Sequence, residues 1–373
     1  MTKRPLLRPT VAEIDLKKLM ANVQKNRAFL TKKDPHVHVK MLCLLKANAY
    51  GHGAVKIGQF LEENKLSDFF GVASVEEGIE LREAGLKTPI LVLGSIYPFE
   101  AFEYAIKYNL AVTIASLKAA QAVEQVAQKI GKKALCHVKQ DTGMGRIGTR
   151  RGAIMEVLQF VDKSPYLILD GLYSHLSSVT SDPQYTEEQI GYYRDTLTNV
   201  KLQDIHINHC HLAASTAILK RPDIYYDMVR PGHSIYGLEE GFEPILTLKT
   251  RVVYLKDVPA GSSISYNRSF RAEKPMKVAT LPIGYGDGYL RALSNKADVL
   301  IGGTRCRVLG NITMDMMMVD VTQVPEVKVG DEVVVVGTQG NDAVTLAELA
   351  EKAGTIDYEL CTLLMPRVPR IYK

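Results

Sequence analysis

Leu44-Leu45-Lys46-Ala47-Asn48-Ala49-Tyr50-Gly51-His52-Gly53 is an apolar run that stops at a lysine, followed by small residues, a tyrosine and glycines. A reactive side chain at the C-terminal end of a buried strand is how a parallel barrel presents its chemistry. Working outward, strand-like runs recur at 38–45, 69–74, 90–94, 111–115, 134–139, 167–173, 204–208 and 227–230. Helical patterns at 74–84, 117–130 and 186–199 separate some of them, and Asp15 reads as the N-cap of a helix carrying Leu16, Leu19, Val23 and Leu30. Eight strands with interleaved helices over roughly 230 residues fit a (β/α)8 TIM-like barrel. A doubly wound open sheet needs fewer repeats and is the second choice.

Past Pro244 the pattern changes. Runs at 246–258, 276–283, 298–301, 305–309 and 332–337 are β-rich and broken by Gly and Pro, with a helical stretch at 345–353. We therefore expect a barrel over residues 1–244 and a smaller, mostly β C-terminal domain over 245–373. Residues before about 14 are expected to pack on the second domain.

The net charge of +5 comes without a Lys/Arg block, which argues against nucleic-acid and membrane-surface partners and leaves room for a small anionic ligand. Five cysteines, an odd number with no CxxC pair, argue against a disulfide framework and for a reducing compartment. No apolar leader and no run of bilayer length is present, so the expectation is a cytoplasmic protein. A desolvated Lys46 would be a Schiff-base former, because burial leaves a neutral amine. A solvated lysine closing a strand is the commoner case, and only the flanking residues argue otherwise.

Further motifs follow in order: Lys139-Gln-Asp-Thr-Gly-Met-Gly-Arg146, Tyr173-Ser-His175, His211-Leu-Ala-Ala-Ser215, Met228-Val-Arg230-Pro-Gly232, Ile264-Ser-Tyr266, Gly284-Tyr285-Gly-Asp-Gly, Asn311-Ile-Thr-Met314-Asp315 and Arg367-Val-Pro-Arg-Ile. With the Lys46 segment, their order and spacing resemble the bacterial alanine racemases over nearly the whole chain. The resemblance implies a pyridoxal 5'-phosphate-dependent racemase that supplies D-alanine for peptidoglycan and works as a homodimer. It implies that Lys46 holds the cofactor and acts as base on one face of the substrate, and that Tyr266 of a partner subunit acts on the other. It assigns Tyr50, Ser215 and the backbone of Gly232 and His233 to the phosphate, and Arg230 to the ring nitrogen. His175 joins Arg230 in the network that tunes Tyr266. Arg146 and the backbone of Met314 would meet the substrate carboxylate, Tyr285 and Asp315 would line the substrate entrance from the partner subunit, and Lys139 is the candidate for carbamylation. An arginine at the ring nitrogen weakens the electron sink and favours racemisation over transamination.

Three residues depart from the family pattern: Ala214 where asparagine is common, Pro366 where some members have tyrosine, and Gln140 after Lys139. Gly143-Met-Gly145-Arg-Ile-Gly148 satisfies GxGxxG with Asp162 beyond it, yet it follows the fifth strand-like run rather than the first, so we read no nicotinamide site. His36, His38, His209 and His211 pair along strands without a third ligand and read as structural, so no metal is expected. The alternatives are a racemase for serine or another small amino acid, a fold-related amino-acid decarboxylase, and a non-enzymatic pyridoxal-phosphate carrier.

Overall fold

The computed structural model describes residues 7–33 and 38–373. His36 lies outside the described residues. Two compact units divide the chain, one of residues 19–49 and 53–242, the other of residues 1–18, 50–52 and 243–373.

The chain opens with β1 (Val11–Ile14) and the helix Leu16–Lys33, whose first turn is capped by Asp15 Oδ1 accepting from Lys17 N and Lys18 N. The first-named unit is then built on β2 (Lys40–Leu44), β3 (Phe69–Val72), β4 (Ile90–Val92), β5 (Leu110–Ile114), β6 (Ala134–Lys139), β7 (Leu167–Tyr173), β8 (His209–His211) and β9 (Met228–Val229). All neighbours pair in parallel, in the order β8-β7-β6-β5-β4-β3-β2-β9. The ring closes because Asp227 N donates to Cys210 O and Arg230 N to Ala213 O. The expected eight-stranded barrel is what forms. Its strands are short apolar runs because a parallel sheet wrapped by helices is buried on both faces. β3, β4 and β5 are buried at every position.

The helices start where the sequence offers a cap. Ser74, Ser116 and Asp182 accept from Glu77 N, Ala119 N and Tyr185 N, and start the helices Val75–Glu83, Leu117–Ile130 and Pro183–Leu202. One expectation is corrected: 204–208 is not a strand. Asp204 has φ 53° and Ile205 N returns to Val200 O, so this stretch ends the preceding helix and the strand begins at His209.

The second unit is mostly β. After β10 (Leu246–Arg251), β11 (Tyr254–Val258), β12 (Ser263–Ile264) and β13 (Phe270–Arg271) come β14 (Met276–Leu281), β15 (Asp298–Ile301), β16 (Thr304–Leu309) and β17 (Met317–Asp320). β18 (Glu332–Gln339), β19 (Asp342–Val344) and β20 (Arg370–Tyr372) complete it. The run 246–258, read as one strand, is two: β10 pairs with β1 and β18, whereas β11 pairs with β14. β1 is sandwiched between antiparallel β10 and parallel β20. The helix Leu346–Ala353 is capped by Thr345 and ends at left-handed Gly354.

Residues 50–52 group with this unit. Gly51 O accepts from Arg370 Nε at 3.0 Å and His52 O from Tyr372 Oη at 3.0 Å. Gly51 has φ +82°, and a Cβ there would lie 2.0 Å from Cys361 O. Both the conformation and the space demand glycine. Gly51→Ala should therefore lower the unfolding free energy by about 2 kcal/mol or more, measured by urea denaturation; an unchanged midpoint would show that this contact is not held in solution.

Candidate active site

Lys46 follows β2 directly, where the backbone makes a turn of the wrong hand for L-residues. Ala47, Asn48 and Ala49 have φ/ψ of 52°/49°, 54°/47° and 53°/52°, and Tyr50 has φ 53°. Each such residue costs roughly 1–2 kcal/mol, so the turn exists only because its surroundings impose it. Glu77 supplies much of that constraint: Oε1 accepts from Ala47 N at 2.7 Å while Oε2 accepts from Ala73 N at 2.6 Å. Asn48 closes the other end, its Oδ1 accepting from Ala54 N at 2.8 Å. Lys46 is thereby held half-buried at the end of the strand. Burial, aided by the charges of Arg146 and Arg230, lowers its pKa, and Glu77 opposes them.

Lys139 ends β6 and is only 4% exposed. Burial, then Arg230 and Arg146, hold its pKa at about 8. Its strand continues into a tight loop shaped by Asp141, whose Oδ1 accepts from Gly143 N at 3.0 Å and Gly145 N at 3.1 Å. A Cβ on Gly148 would lie 2.6 Å from Asp141 N. This is the GxGxxG stretch, and its glycines serve the turn that carries Arg146.

Arg230 follows β9 and is 3% exposed. Its guanidinium donates to Ser174 O at 2.7 Å, Leu212 O at 2.9 Å, His211 O at 3.0 Å and His211 Nδ1 at 2.8 Å. These partners are carbonyls and a ring nitrogen, so the positive charge is oriented but not neutralised. Burial lowers its pKa to about 10, which still leaves a cation at neutral pH. The Tyr173 ring lies 5.3 Å from both the Arg230 guanidinium and Lys139 Nζ. His175, two residues on, is pushed down to about 3 by burial and by Arg230, Lys139, Arg146 and Lys46 in turn. Lys46, Lys139, Arg146, His175 and Arg230 thus converge on one strongly positive region.

Ser215 is buried at the start of the helix Ser215–Lys220, where its Oγ accepts from Gly232 N at 2.9 Å and Ser234 N at 3.4 Å. The His233 ring is turned to Glu239, Nδ1 to carboxylate 2.9 Å. Ala214 contributes only backbone, bridging to Arg230, and Gln140 is buried with its amide on Tyr192 O. Tyr50 is buried in the other unit, and burial raises its phenol.

The remaining candidates also lie in that other unit, and all are exposed: Tyr266 by 70%, Met314 by 54% and Tyr285 by 42%. Ser265, Asn267 and Arg268 have positive φ around Tyr266, and Asn311 Nδ2 donates to Tyr266 O at 2.9 Å. Gly286 N donates to Met314 O at 2.8 Å, and Arg367 bridges Met314 O, Asp315 and the fully buried Asp287. Arg8 grips the same Asp287 carboxylate. A hydrogen-bonded set of loops therefore carries all three exposed residues.

Sequence reading gave no role to Glu77, Asp141, Asn311, Asp287 or Arg367. Glu77 had a signal, since Ser74-x-x-Glu77 has the spacing of a capping box. Its side chain goes to Ala73 N and Ala47 N rather than back to Ser74 N. Of the histidines, His38 sits 3.5 Å from Asp68, and His211 belongs to the Arg230 network.

The chain matches the family model described as alanine racemase, N-terminal domain, over residues 14–240, and the one described as alanine racemase, C-terminal domain, over 245–372. An alanine racemase of Halothermothrix orenii is 40% identical, with 100% of this chain and 99% of that protein aligned. An alanine racemase of Clostridium difficile superposes with TM-score 0.91 at 35% identity, covering 99% of this chain and 97% of that one. The Bacillus anthracis alanine racemase solved with bound L-Ala-P also gives 0.91, at 32% identity over 99% and 96%.

The depressed pKa of His175 has a consequence for stability. Its folded pKa of about 3 lies below the unfolded value near ~6.5. The unfolded chain then binds the extra proton first, so stability is full above pH ~6.5 and declines as pH falls toward 3. Between pH 7 and 5 this one group should contribute a loss of about 2 kcal/mol. His175→Asn should remove that part of the acid sensitivity in urea titrations at the two pH values.

Proposed function

The chain belongs to the alanine racemase family, and from that premise we propose that it interconverts L- and D-alanine with pyridoxal 5'-phosphate, using one base on each face of the substrate Cα. The observation that carries this reading is the convergence of a lysine of lowered pKa with Lys139, Arg146, His175 and buried, uncompensated Arg230.

The donor set suits that cofactor. An amine of lowered pKa suits its aldehyde, the buried Arg230 cation suits its ring nitrogen, and a buried serine beside Gly232 suits its phosphate oxygens. On this reading Lys46 holds the cofactor, Ser215, Tyr50, Gly232 and His233 lie about the phosphate, and Arg230 meets the ring nitrogen. Pyridoxal phosphate, when bound, supplies an electron sink for the charge left at Cα. Everything else falls to the chain. Arg146 and the Met314 backbone orient the substrate carboxylate, and Tyr285 of the partner subunit narrows the approach. Lys46 Nζ takes or returns the proton on one face. His175 stays neutral and can hydrogen-bond a phenol without competing as a cation. Lys139, largely deprotonated above pH 8, has the neutral amine that carbamylation requires, and a carbamate there would fix Arg146.

The other face needs Tyr266. It is largely exposed on its own chain, together with Tyr285, Met314 and Met316 around the 311–316 loop. An apolar, exposed surface of this kind fits burial against a second copy, which would make the homodimer the working unit. A cytoplasmic role in D-alanine supply for peptidoglycan follows from the family. Among the described residues no helix is long and apolar enough to cross a membrane.

Incubation with L-alanine in deuterated water should yield D-alanine carrying deuterium at Cα. Lys46→Ala should lower turnover in both directions by about 10³-fold or more. Tyr266→Phe should lower racemisation and slow exchange of the Cα proton in deuterated water far more for one enantiomer than for the other, and an unchanged rate would remove Tyr266 from proton transfer. Specific activity should fall on dilution as dimers dissociate, followed by sedimentation velocity at matched concentrations.

A further inference from the structure

His211, which receives Arg230 Nη1, is one link in a hydrogen-bonded line that leaves the site and crosses the barrel interior. An arginine has only donors, so the 2.8 Å bond fixes His211 Nδ1 as an acceptor. The His211 proton is then on Nε2, 3.0 Å from His137 Nδ1, and is donated there. His137 in turn carries its proton on Nε2, 3.1 Å from Asp170 Oδ2. Each link has one direction, and the line ends on a carboxylate whose Oδ1 accepts from Asn208 Nδ2 at 3.0 Å. Both imidazoles are fully buried.

The backbone is shaped around this line. Pairing of β6 with β7 runs Cys136↔Leu169 and then His137↔Gly171, so Asp170 is the extra residue of a bulge. A Cβ on Gly171 would lie 2.1 Å from His137 Nδ1, so the ring occupies room that only glycine leaves. Tyr173 stacks on His211 at 4.7 Å and 6°. At the outer end, His209 Nε2 lies 4.0 Å from Asp170 Oδ1 and 3.3 Å from Lys40 Nζ.

We propose that Asp170 is a positioning residue for the racemisation: through His137 and His211 it sets the tautomer facing Arg230 and so holds the guanidinium toward the cofactor ring. The inference rests on the functional reading above. Were the line reversed, His211 Nδ1–H would face an Arg230 N–H, two donors against each other, and the guanidinium would have to turn. An ionised Asp170 forbids that reversal because it can only accept.

The test uses the full-length chain labelled with 15N at histidine, as wild type, Asp170→Asn and Asp170→Glu, both cofactor-free and loaded with pyridoxal phosphate. An asparagine must turn its NH2 either to His137 Nε2, which reverses the line, or to Asn208 Nδ2, where two donors meet, so neither orientation satisfies both neighbours as the carboxylate does. In the wild type, nitrogen shifts should report the Nε2–H tautomer at His137 and His211. Asp170→Asn should give mixed tautomers at both rings, a shifted cofactor absorption band, and a kcat reduced on the order of tenfold with KM little changed. Asp170→Glu should recover most of the loss. Unchanged tautomers in Asp170→Asn, or altered tautomers with unaltered kcat and absorption, would overturn the proposal. An inactive wild type with the stated tautomers would sink the functional reading instead and leave the direction of the line supported. Should Asp170→Asn fail to fold, Asp170→Ser, which also removes the acceptor-only carboxylate from His137 Nε2, is expected to move the same shifts in the same sense.

Discussion

Positive charge gathered inside a barrel, with Glu77 and Asp141 offsetting only part of it, is the constraint on which the site depends. Arg230 and Lys139 are almost wholly removed from water, and Lys46 is half-buried beside them. Removing charge from water is costly, and like charges add to the cost. The amines respond by losing proton affinity, and His175 stays neutral far into the acid range. Arg230 has too high an intrinsic pKa to escape in this way, so carbonyl oxygens from several chain segments and the face of Tyr173 hold it. These partners orient a cation while leaving its charge available. An anionic ligand entering this field gains attraction that the folded chain has already arranged.

The strained turn after Lys46 follows from the same requirement. A right-handed continuation would run the chain into an ordinary helix and give the lysine no fixed direction. The left-handed turn is held at one end by Glu77 and at the other by Asn48. Glu77 also sits near enough to oppose the fall in the lysine pKa. One carboxylate therefore both shapes the turn and opposes the loss of proton affinity at the amine.

Much of this was legible in the sequence, and the parts that were not share a cause. β6 and β7 were readable to the residue because each opens on an apolar stretch, Ala134-Leu-Cys136 and Leu167-Ile-Leu169, before its polar residues. The strand containing His209 and His211 was misplaced because its side chains are polar; His211 is held by hydrogen bonds to Arg230 and His137, and His209 lies against Lys40 and Asp170, which no local pattern announces. The break between β10 and β11 falls in a uniformly β-prone run and is decided by which strands are available to pair. Alanines and a tyrosine in left-handed conformation run against propensity, and their anchor, Glu77, is thirty residues away in sequence. Arg367 was quoted as part of a motif, yet its hold on Met314, Asp315 and Asp287 appears only in three dimensions.

The placement of Asp170 at the far end of two imidazoles, rather than against Arg230, has a physical logic. A carboxylate in direct contact with the guanidinium would fix its direction equally well, but it would cancel the positive potential at the point where the ligand ring is to lie. A neutral imidazole transmits direction without transmitting net charge, because each ring that accepts at one nitrogen must donate at the other. Two such rings in series keep the anion distant while still dictating which nitrogen Arg230 meets. The bulge at Asp170 and the bare backbone of Gly171 are the local irregularities that let this line pass through an otherwise regular sheet. A regular β7 carrying an ordinary side chain at 171 would have to displace His137, and the guanidinium would then keep its charge but lose its aim.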